Sequence, residues 1–89
     1  MAEESHLVGY YGTECTHCHE MDPLIEKLEK EHKLKVVKKE VWHDSKNQAE
    51  FLKVAEGKCP GVPFFINKKN GKFICGATTY DKLKEWSNI

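Results

Sequence analysis

The chain has 89 residues, 39% hydrophobic and 31% charged, a length typical of one domain, so a multidomain protein is excluded. Fourteen basic and fourteen acidic residues give no net charge, and every basic residue is a lysine. Since nucleic-acid-binding modules are expected to carry net positive charge and arginine, we predict a single domain over residues 1–89 that binds no nucleic acid.

The first part of the chain predicts a strand, a helix and a second strand. Leu7–Tyr11 is a short apolar run closed by Gly12, which is typical of a buried strand. A helix beginning near Thr16 follows, and Pro23 is expected to kink it about one turn later. Its apolar residues recur at helical spacing: Met21, Leu24, Ile25 and Leu28. Valines among lysines over Leu34–Trp42 then predict a less buried strand.

The second part predicts a helix, a hairpin and a terminal helix. Ser45 and Gln48 have capping-box spacing before a short apolar stripe. Asn70-Gly71 lies between two apolar runs and is the strongest short-range signal for a β-hairpin. Thr78 or Thr79 is the expected N-cap of the last helix. The order β-α-β-α-β-β-α predicts an α/β fold with a four-stranded mixed sheet flanked by three helices.

Cys15 and Cys18 form a Cys-Thr-His-Cys motif where the first loop gives way to a helix. Their spacing brings two sulfurs within disulfide reach, and the free N–H groups and dipole of a helix start stabilise a thiolate. We therefore predict Cys15 as the nucleophile and the more covered Cys18 as the resolving thiol. An imidazolium at His17 would favour the Cys15 thiolate, so His17 is a candidate redox-tuning residue, whereas the carboxylate of Glu14 opposes it.

Five segments occur in the order in which the thioredoxin-like family carries them: Tyr10–Cys18, Pro23, Gly61–Phe65, Asn70-Gly71, and Gly76-Ala77 followed by Leu83–Trp86. The chain therefore resembles that family over nearly its whole length. The resemblance implies a minimal thioredoxin-like fold with a cis bond between Val62 and Pro63, packed against the active-site disulfide. It also implies that these two residues form the substrate platform, with the backbone edge of Val62 pairing with an extended substrate.

The chain departs from the family pattern in three places. The first strand and helix of larger members are missing, which leaves a core of glutaredoxin size. Glu14 stands where a tryptophan usually precedes the first cysteine, and Gly9 stands where thioredoxins keep a buried carboxylate. Glutaredoxins are the near alternative. Where they carry their usual motif between the two cysteines, this chain has Thr16-His17, and where they carry a threonine before the cis-proline, it has Val62.

The motif can also be half of a zinc site, but Cys59 and Cys75 form no second pair of this spacing. Because no export signal is visible, redox chemistry is expected of the cysteines rather than a disulfide framework. We expect Cys59 to be a small residue near the rim of the site and Cys75 to be buried in its strand. Their pairing cannot be read from the sequence. No metal and no cofactor are expected.

These features predict a thiol-disulfide oxidoreductase that acts on protein disulfides, as a reductant in a cytosolic redox environment. The alternatives are a glutaredoxin-like, glutathione-dependent enzyme and a redox-inert metal-binding or adaptor module on the same fold. The expected partners are disulfide-bearing proteins and an upstream thiol reductase or glutathione. No apolar run is long enough to cross a membrane, so we expect no membrane partner. We further expect a monomer in the cytoplasm, or in an organelle if a targeting segment has been removed.

Overall fold

The computed structural model describes residues 6–87, which form a four-stranded sheet with helices on both faces. The acidic residues 1–5, which bear on the predicted lack of an export signal, lie outside the described residues. The strands pair in the order β2-β1-β3-β4. The elements in chain order are β1 (Leu7–Tyr11), α1 (Thr16–His32), β2 (Val37–Glu40), α2 (Ser45–Val54), β3 (Phe64–Asn67), β4 (Phe73–Cys75) and α3 (Tyr80–Trp86). The predicted element order and mixed four-stranded sheet are confirmed.

The opening β1-α1-β2 unit is parallel, as the sequence predicts, and Val8 lies opposite Val37. Helix α1 runs continuously through Pro23 and ends at Lys33, which adopts a left-handed conformation. Strand β2 is shorter than predicted. At its start, the Val36 N–H donates to the carboxylate of Glu29 over 2.9 Å, which ties the entry to the strand to helix α1.

The start of α2 corrects the predicted cap. Asp44, not Ser45, is the N-cap, and its Oδ1 accepts hydrogen bonds of 3.0 Å from the backbone N–H groups of Lys46 and Asn47. A carboxylate is the stronger acceptor here because its charge also interacts favourably with the positive end of the helix dipole. The helix therefore still begins at Ser45, but the side chain that caps it is that of Asp44.

The hairpin signal is confirmed, since β3 and β4 are antiparallel and Gly71 adopts the positive φ of 79° that the turn requires. The Asn70 side chain accepts a hydrogen bond from the Lys72 N–H over 2.9 Å, which fixes the second half of the turn. Thr79 caps α3 through its side chain, so the second of the two predicted threonines is the N-cap.

Two buried clusters hold the helices against the sheet. One lies between the sheet and helices α1 and α3, and contains Leu7, Met21, Ile25, Leu28, Val36, Phe65, Leu83 and Trp86. The other lies on the α2 face and contains Val8, Tyr10, Val41, Phe51, Ala55, Phe64 and Ile66. Because neighbouring residues of β1 and β3 point to opposite faces, these two strands contribute to both clusters. The end of β1 that precedes the Cys-Thr-His-Cys motif is thus fixed from both sides.

Candidate functional site

Cys15 and Cys18 are joined by a disulfide at the start of α1, with their Cα atoms 5.2 Å apart. Cys15 is the N-cap of the helix, and its Sγ accepts a hydrogen bond from the Cys18 N–H over 3.2 Å. No acidic residue lies in the first turn of the helix. When the pair is reduced, the same N–H and the helix dipole would stabilise a Cys15 thiolate.

The loop before β3 covers the disulfide. The Cys15 Sγ lies 4.0 Å from the backbone carbonyl oxygen of Val62, and the Val62–Pro63 peptide bond is cis. Pro63 is buried, and its carbonyl oxygen accepts a 2.8 Å hydrogen bond from the Gly76 N–H. Cys15 is 7% exposed and Cys18 is 4% exposed, so in the oxidised state the two are covered almost equally. The structure thus brings four of the five predicted site residues together.

His17, the fifth, projects away into solvent. Its side chain is 74% exposed, and its Nδ1 lies 3.1 Å from a carboxylate oxygen of Glu20, one turn further along the helix. The structure therefore pairs His17 with a carboxylate rather than with a sulfur. Its role in tuning the Cys15 thiolate stays a prediction.

The carboxylate of Glu40 ties the loop before Cys15 to the loop after β2. It accepts hydrogen bonds from the N–H and hydroxyl of Thr13, at 3.0 and 3.2 Å, and from the N–H groups of Trp42 and His43, at 3.1 and 2.7 Å. These backbone contacts hold the pKa of the Glu40 carboxyl below its usual range, although desolvation opposes them. The sequence patterns described above did not point to Glu40. Glu40 could have been found, because the carboxyl ends of parallel strands β1 and β2 must meet at the same edge.

Trp42 lies beside the motif and is 48% exposed. Its indole packs so closely over Gly12 that a Cβ at that position would collide with the ring. The glycine that closes β1 is therefore required by this close approach. An exposed aromatic side chain next to the Cys15 loop was another feature that the sequence analysis missed.

Gly9 has no space for a side chain, because the ring of Phe65 lies across it. An added Cβ would stand 3.0 Å from two ring carbons of Phe65, which leaves no room for a carboxylate.

An ion pair lies close to Cys18. Asp22, one turn after Cys18, has a carboxylate oxygen 3.5 Å from the Lys38 Nζ, and both line a small cavity together with Cys18. The i, i+4 spacing from Cys18 was the signal in the sequence for Asp22.

The other two cysteines also form a disulfide, a pairing that the sequence left open. Cys59 and Cys75 are bonded, with their Cα atoms 5.4 Å apart. The expectation of a buried Cys75 is wrong, because β4 is an edge strand and Cys75 is exposed there. Cys59 is half-buried.

Glu14, next to Cys15, is paired with His43. The His43 Nε2 lies 2.7 and 2.9 Å from the two Glu14 carboxylate oxygens, and this hydrogen bond raises the pKa of His43 above its ordinary value of 6.5. Because folding raises that pKa, the pair stabilises the folded state fully below about pH 6.5 and ceases to do so as the pH rises through the raised value. Below the raised pKa of His43, its imidazolium therefore balances the Glu14 carboxylate, the charge that opposes a Cys15 thiolate.

We expect Glu14→Gln to lower the pKa of His43 towards 6.5, as measured by NMR titration of its ring protons. His19 is the matched control, since its pKa is raised mainly by a hydrogen bond to the Thr13 carbonyl oxygen. Its titration should stay where it is in the variant. An unchanged His43 titration in Glu14→Gln would show that the ion pair does not form in solution.

Comparison with known proteins assigns the family. The model of the family described as Thioredoxin matches residues 1–88, so the chain belongs to the thioredoxin family. Comparison with curated proteins gives no significant match. The fold described above, with its disulfide at the start of α1, agrees with this assignment.

Solved structures show the same fold. A mutant thioredoxin from Halobacterium salinarum NRC-1 is 24% identical, with a TM-score of 0.68 over 89% of this chain and 67% of that one. The oxidised form of mitochondrial thioredoxin 3 from Saccharomyces cerevisiae is 24% identical, with a TM-score of 0.67 over 93% of this chain and 76% of that one. A mutant of the thioredoxin-like protein BC3987 is 16% identical, with a TM-score of 0.65 over 97% of this chain and 99% of that one.

The family and the Cys15–Cys18 disulfide together indicate a thiol-disulfide oxidoreductase. Within residues 6–87, no three side chains of the His, Cys, Asp and Glu types are grouped so that they could hold a metal ion. No helix in that part of the chain has the length and apolar character needed to span a membrane.

Proposed function

We propose that this protein reduces disulfides in other proteins, with Cys15 as the nucleophile and Cys18 as the resolving thiol. The observation that carries the proposal is the position of the Cys15 sulfur. It lies at a helix start, accepts the Cys18 N–H, and faces the carbonyl oxygen of Val62. A thiolate is stabilised there, and a backbone edge lies beside it on which a substrate can be held.

The exchange proceeds in two steps. The Cys15 thiolate attacks one sulfur of the substrate disulfide, forms a mixed disulfide, and releases the other substrate sulfur, which takes up a proton. The Cys18 thiol then loses its proton and attacks the Cys15 Sγ, which releases the second substrate sulfur as a thiol. Two electrons pass to the substrate, and the Cys15–Cys18 disulfide seen in the structure is the product state.

Val62 and Pro63 are the proposed substrate platform. Val62 lies outside the sheet, one residue before Pro63 and two before the start of β3, with its carbonyl oxygen near the Cys15 sulfur. An extended substrate segment that pairs with this backbone would place its disulfide next to Cys15. The hydrogen bond from Gly76 to the Pro63 carbonyl oxygen holds the loop at its strand end.

A further thiol donor must return the pair to the dithiol. Two electrons are needed for each turnover, and either an upstream dithiol reductase or two glutathione molecules can supply them by the same exchange. The reductant direction is proposed for a compartment whose thiols are kept reduced. His17 is retained in this proposal as a candidate tuning residue.

The test is to trap the intermediate. In Cys18→Ser, the serine hydroxyl cannot displace the substrate, so we expect mixed disulfides between Cys15 and protein substrates to accumulate. The reduced variant would be added to a cell extract in which free thiols have been alkylated and protein disulfides are left intact, and the adducts identified on non-reducing gels as species that dithiothreitol releases.

The matched control is the double variant Cys15→Ser/Cys18→Ser, which keeps Cys59 and Cys75 and should form no such adduct. Adducts that persist in the double variant would assign the exchange to the other cysteines. A Cys18→Ser protein that traps nothing would overturn the roles proposed for Cys15 and Cys18.

A further inference from the structure

The second disulfide joins the loop after α2 to the edge strand β4. Cys75 is exposed, and Cys59 is half-buried beside an open groove that is also lined by Leu52, Glu56 and Lys58. This disulfide therefore differs from the Cys15–Cys18 pair, both of whose residues are buried. Exposed disulfides are the ones that thiolates can reach, and they are more often labile than structural.

Its position matters because the loop that it closes carries Val62 and Pro63. Cys59 begins the loop, with its N–H bonded to the Ala55 carbonyl oxygen over 3.0 Å at the end of α2. Cys75 lies opposite Phe64, the residue after Pro63, in the β3–β4 ladder. The disulfide thus links the start of the loop to the strand beside its end.

We propose that Cys59–Cys75 is a second thiol-disulfide exchange site, which a small-molecule thiol opens and whose redox state controls the loop over residues 59–63. The first half of this proposal depends only on the second disulfide. The control of substrate binding rests on the proposed function, because it requires Val62 and Pro63 to be the substrate platform.

With glutathione as the small-molecule thiol, the exchange takes two steps. Its thiolate attacks the exposed Cys75 Sγ, the Cys59–Cys75 bond breaks, and Cys59 leaves as a thiolate that takes a proton from water. A second glutathione thiolate attacks the glutathione sulfur of the adduct, which releases Cys75 as a thiol and forms glutathione disulfide. The protein gains two electrons and two protons.

In the reduced state, the Cys59 thiol has a hydrogen-bond acceptor within reach. The Cys59 Sγ lies 3.1 Å from the Gly61 carbonyl oxygen, so a protonated Cys59 can donate a hydrogen bond within the loop. Once the covalent link to β4 is lost, the loop is held by the backbone hydrogen bonds at its two ends and by the packing of Cys59 and Val62 against the cluster on the α2 face. The Val62 carbonyl oxygen, now 4.0 Å from the Cys15 Sγ, is then less firmly placed for a substrate.

The first experiment isolates the second disulfide in the double variant Cys15→Ser/Cys18→Ser. The folded protein is equilibrated with graded ratios of reduced to oxidised glutathione, quenched with an alkylating reagent and analysed by mass spectrometry. We expect two free thiols to appear as the ratio rises, with a transient glutathione adduct on the peptide that contains Cys75. If the disulfide opens only when the chain is unfolded by denaturant, it is structural and the proposal is overturned.

The second experiment tests the link to the site. In Cys59→Ser/Cys75→Ser, we expect the KM for a protein disulfide to rise several-fold with kcat within about twofold, and exchange of the loop amides at positions 59, 61 and 62 to speed up about tenfold. The same amide-exchange comparison on the native sequence, before and after selective reduction of Cys59–Cys75, covers the case in which the variant folds poorly. Equal exchange in the two redox states, or an unchanged KM in a folded variant, would overturn the control of the loop.

These outcomes separate the two proposals. If Cys18→Ser traps no substrate while glutathione still opens Cys59–Cys75 in the double variant, the proposed function fails and the exchange site stands. If trapping succeeds and the second disulfide resists glutathione, the reverse holds.

Discussion

Cys15→Ser is expected to lower the rate of protein disulfide reduction by about 10³-fold or more, the scale of loss that follows removal of a catalytic nucleophile. The reason is chemical: a serine hydroxyl at the helix start can accept the Cys18 N–H but cannot form a mixed disulfide. The measurement is the rate at which catalytic amounts of the protein accelerate reduction of a disulfide-bearing protein by dithiothreitol.

The variant Cys59→Ser/Cys75→Ser is the natural control, since it also replaces cysteine by serine but is expected to keep kcat. A Cys15→Ser protein that retained the activity would remove Cys15 from the reaction. Loss of kcat in the control with retention in Cys15→Ser would transfer the activity to the second disulfide.

Phe64→Ala is expected to lower the free energy of unfolding by about 3 to 5 kcal/mol. Phe64 is fully buried, and its ring lies 6.0 Å from that of Tyr10, and 5.9 Å from those of Phe51 and Phe73, measured between centroids. A domain of this size has a total stability of about 5 to 15 kcal/mol, so this one cavity would remove much of it. The quantity is obtained from urea unfolding with both disulfides oxidised.

Leu52→Ala is the matched control, because it also truncates an apolar side chain, but one that is 62% exposed. We expect a change within about 0.5 kcal/mol for it. Equal losses in the two variants would show that the α2 face of the sheet is not packed as described. Because Phe64 directly follows Pro63, the first variant should also loosen the loop beside Cys15.

Local patterns in the sequence were enough to predict most of the fold. The apolar run of Leu7–Tyr11 and the Asn70-Gly71 turn each report on the conformation of their own few residues, and both predictions are confirmed. The cap of α2 was wrong because Asp44 and Ser45 are neighbouring residues, both good caps, and only the final geometry decides between them. The contact of the Val36 N–H with Glu29, a side chain from another element, was likewise beyond local patterns.

The candidate site divides in the same way. The pairing of Cys15 with Cys18 follows from their spacing, and their place at a helix start follows from the neighbouring pattern. The Cys59–Cys75 disulfide could not be predicted, because it depends on how the loop after α2 returns to an edge strand. The bonds that Glu40 makes to the loop before Cys15 are likewise contacts between distant segments.

The position of β1 in the sheet has a consequence for biosynthesis. Among the described elements this strand comes first, yet it lies in the interior of the sheet, between β2 and β3, and β3 follows only after α1, β2 and α2. As the chain leaves the ribosome, the side of β1 that will receive β3 stays open until β3 has emerged, and open strand edges favour aggregation. Cys15 and Cys18 also emerge well before the loop that covers them. The nascent chain therefore carries its dithiol exposed, next to an unpaired apolar strand, until the segment with β3 has emerged.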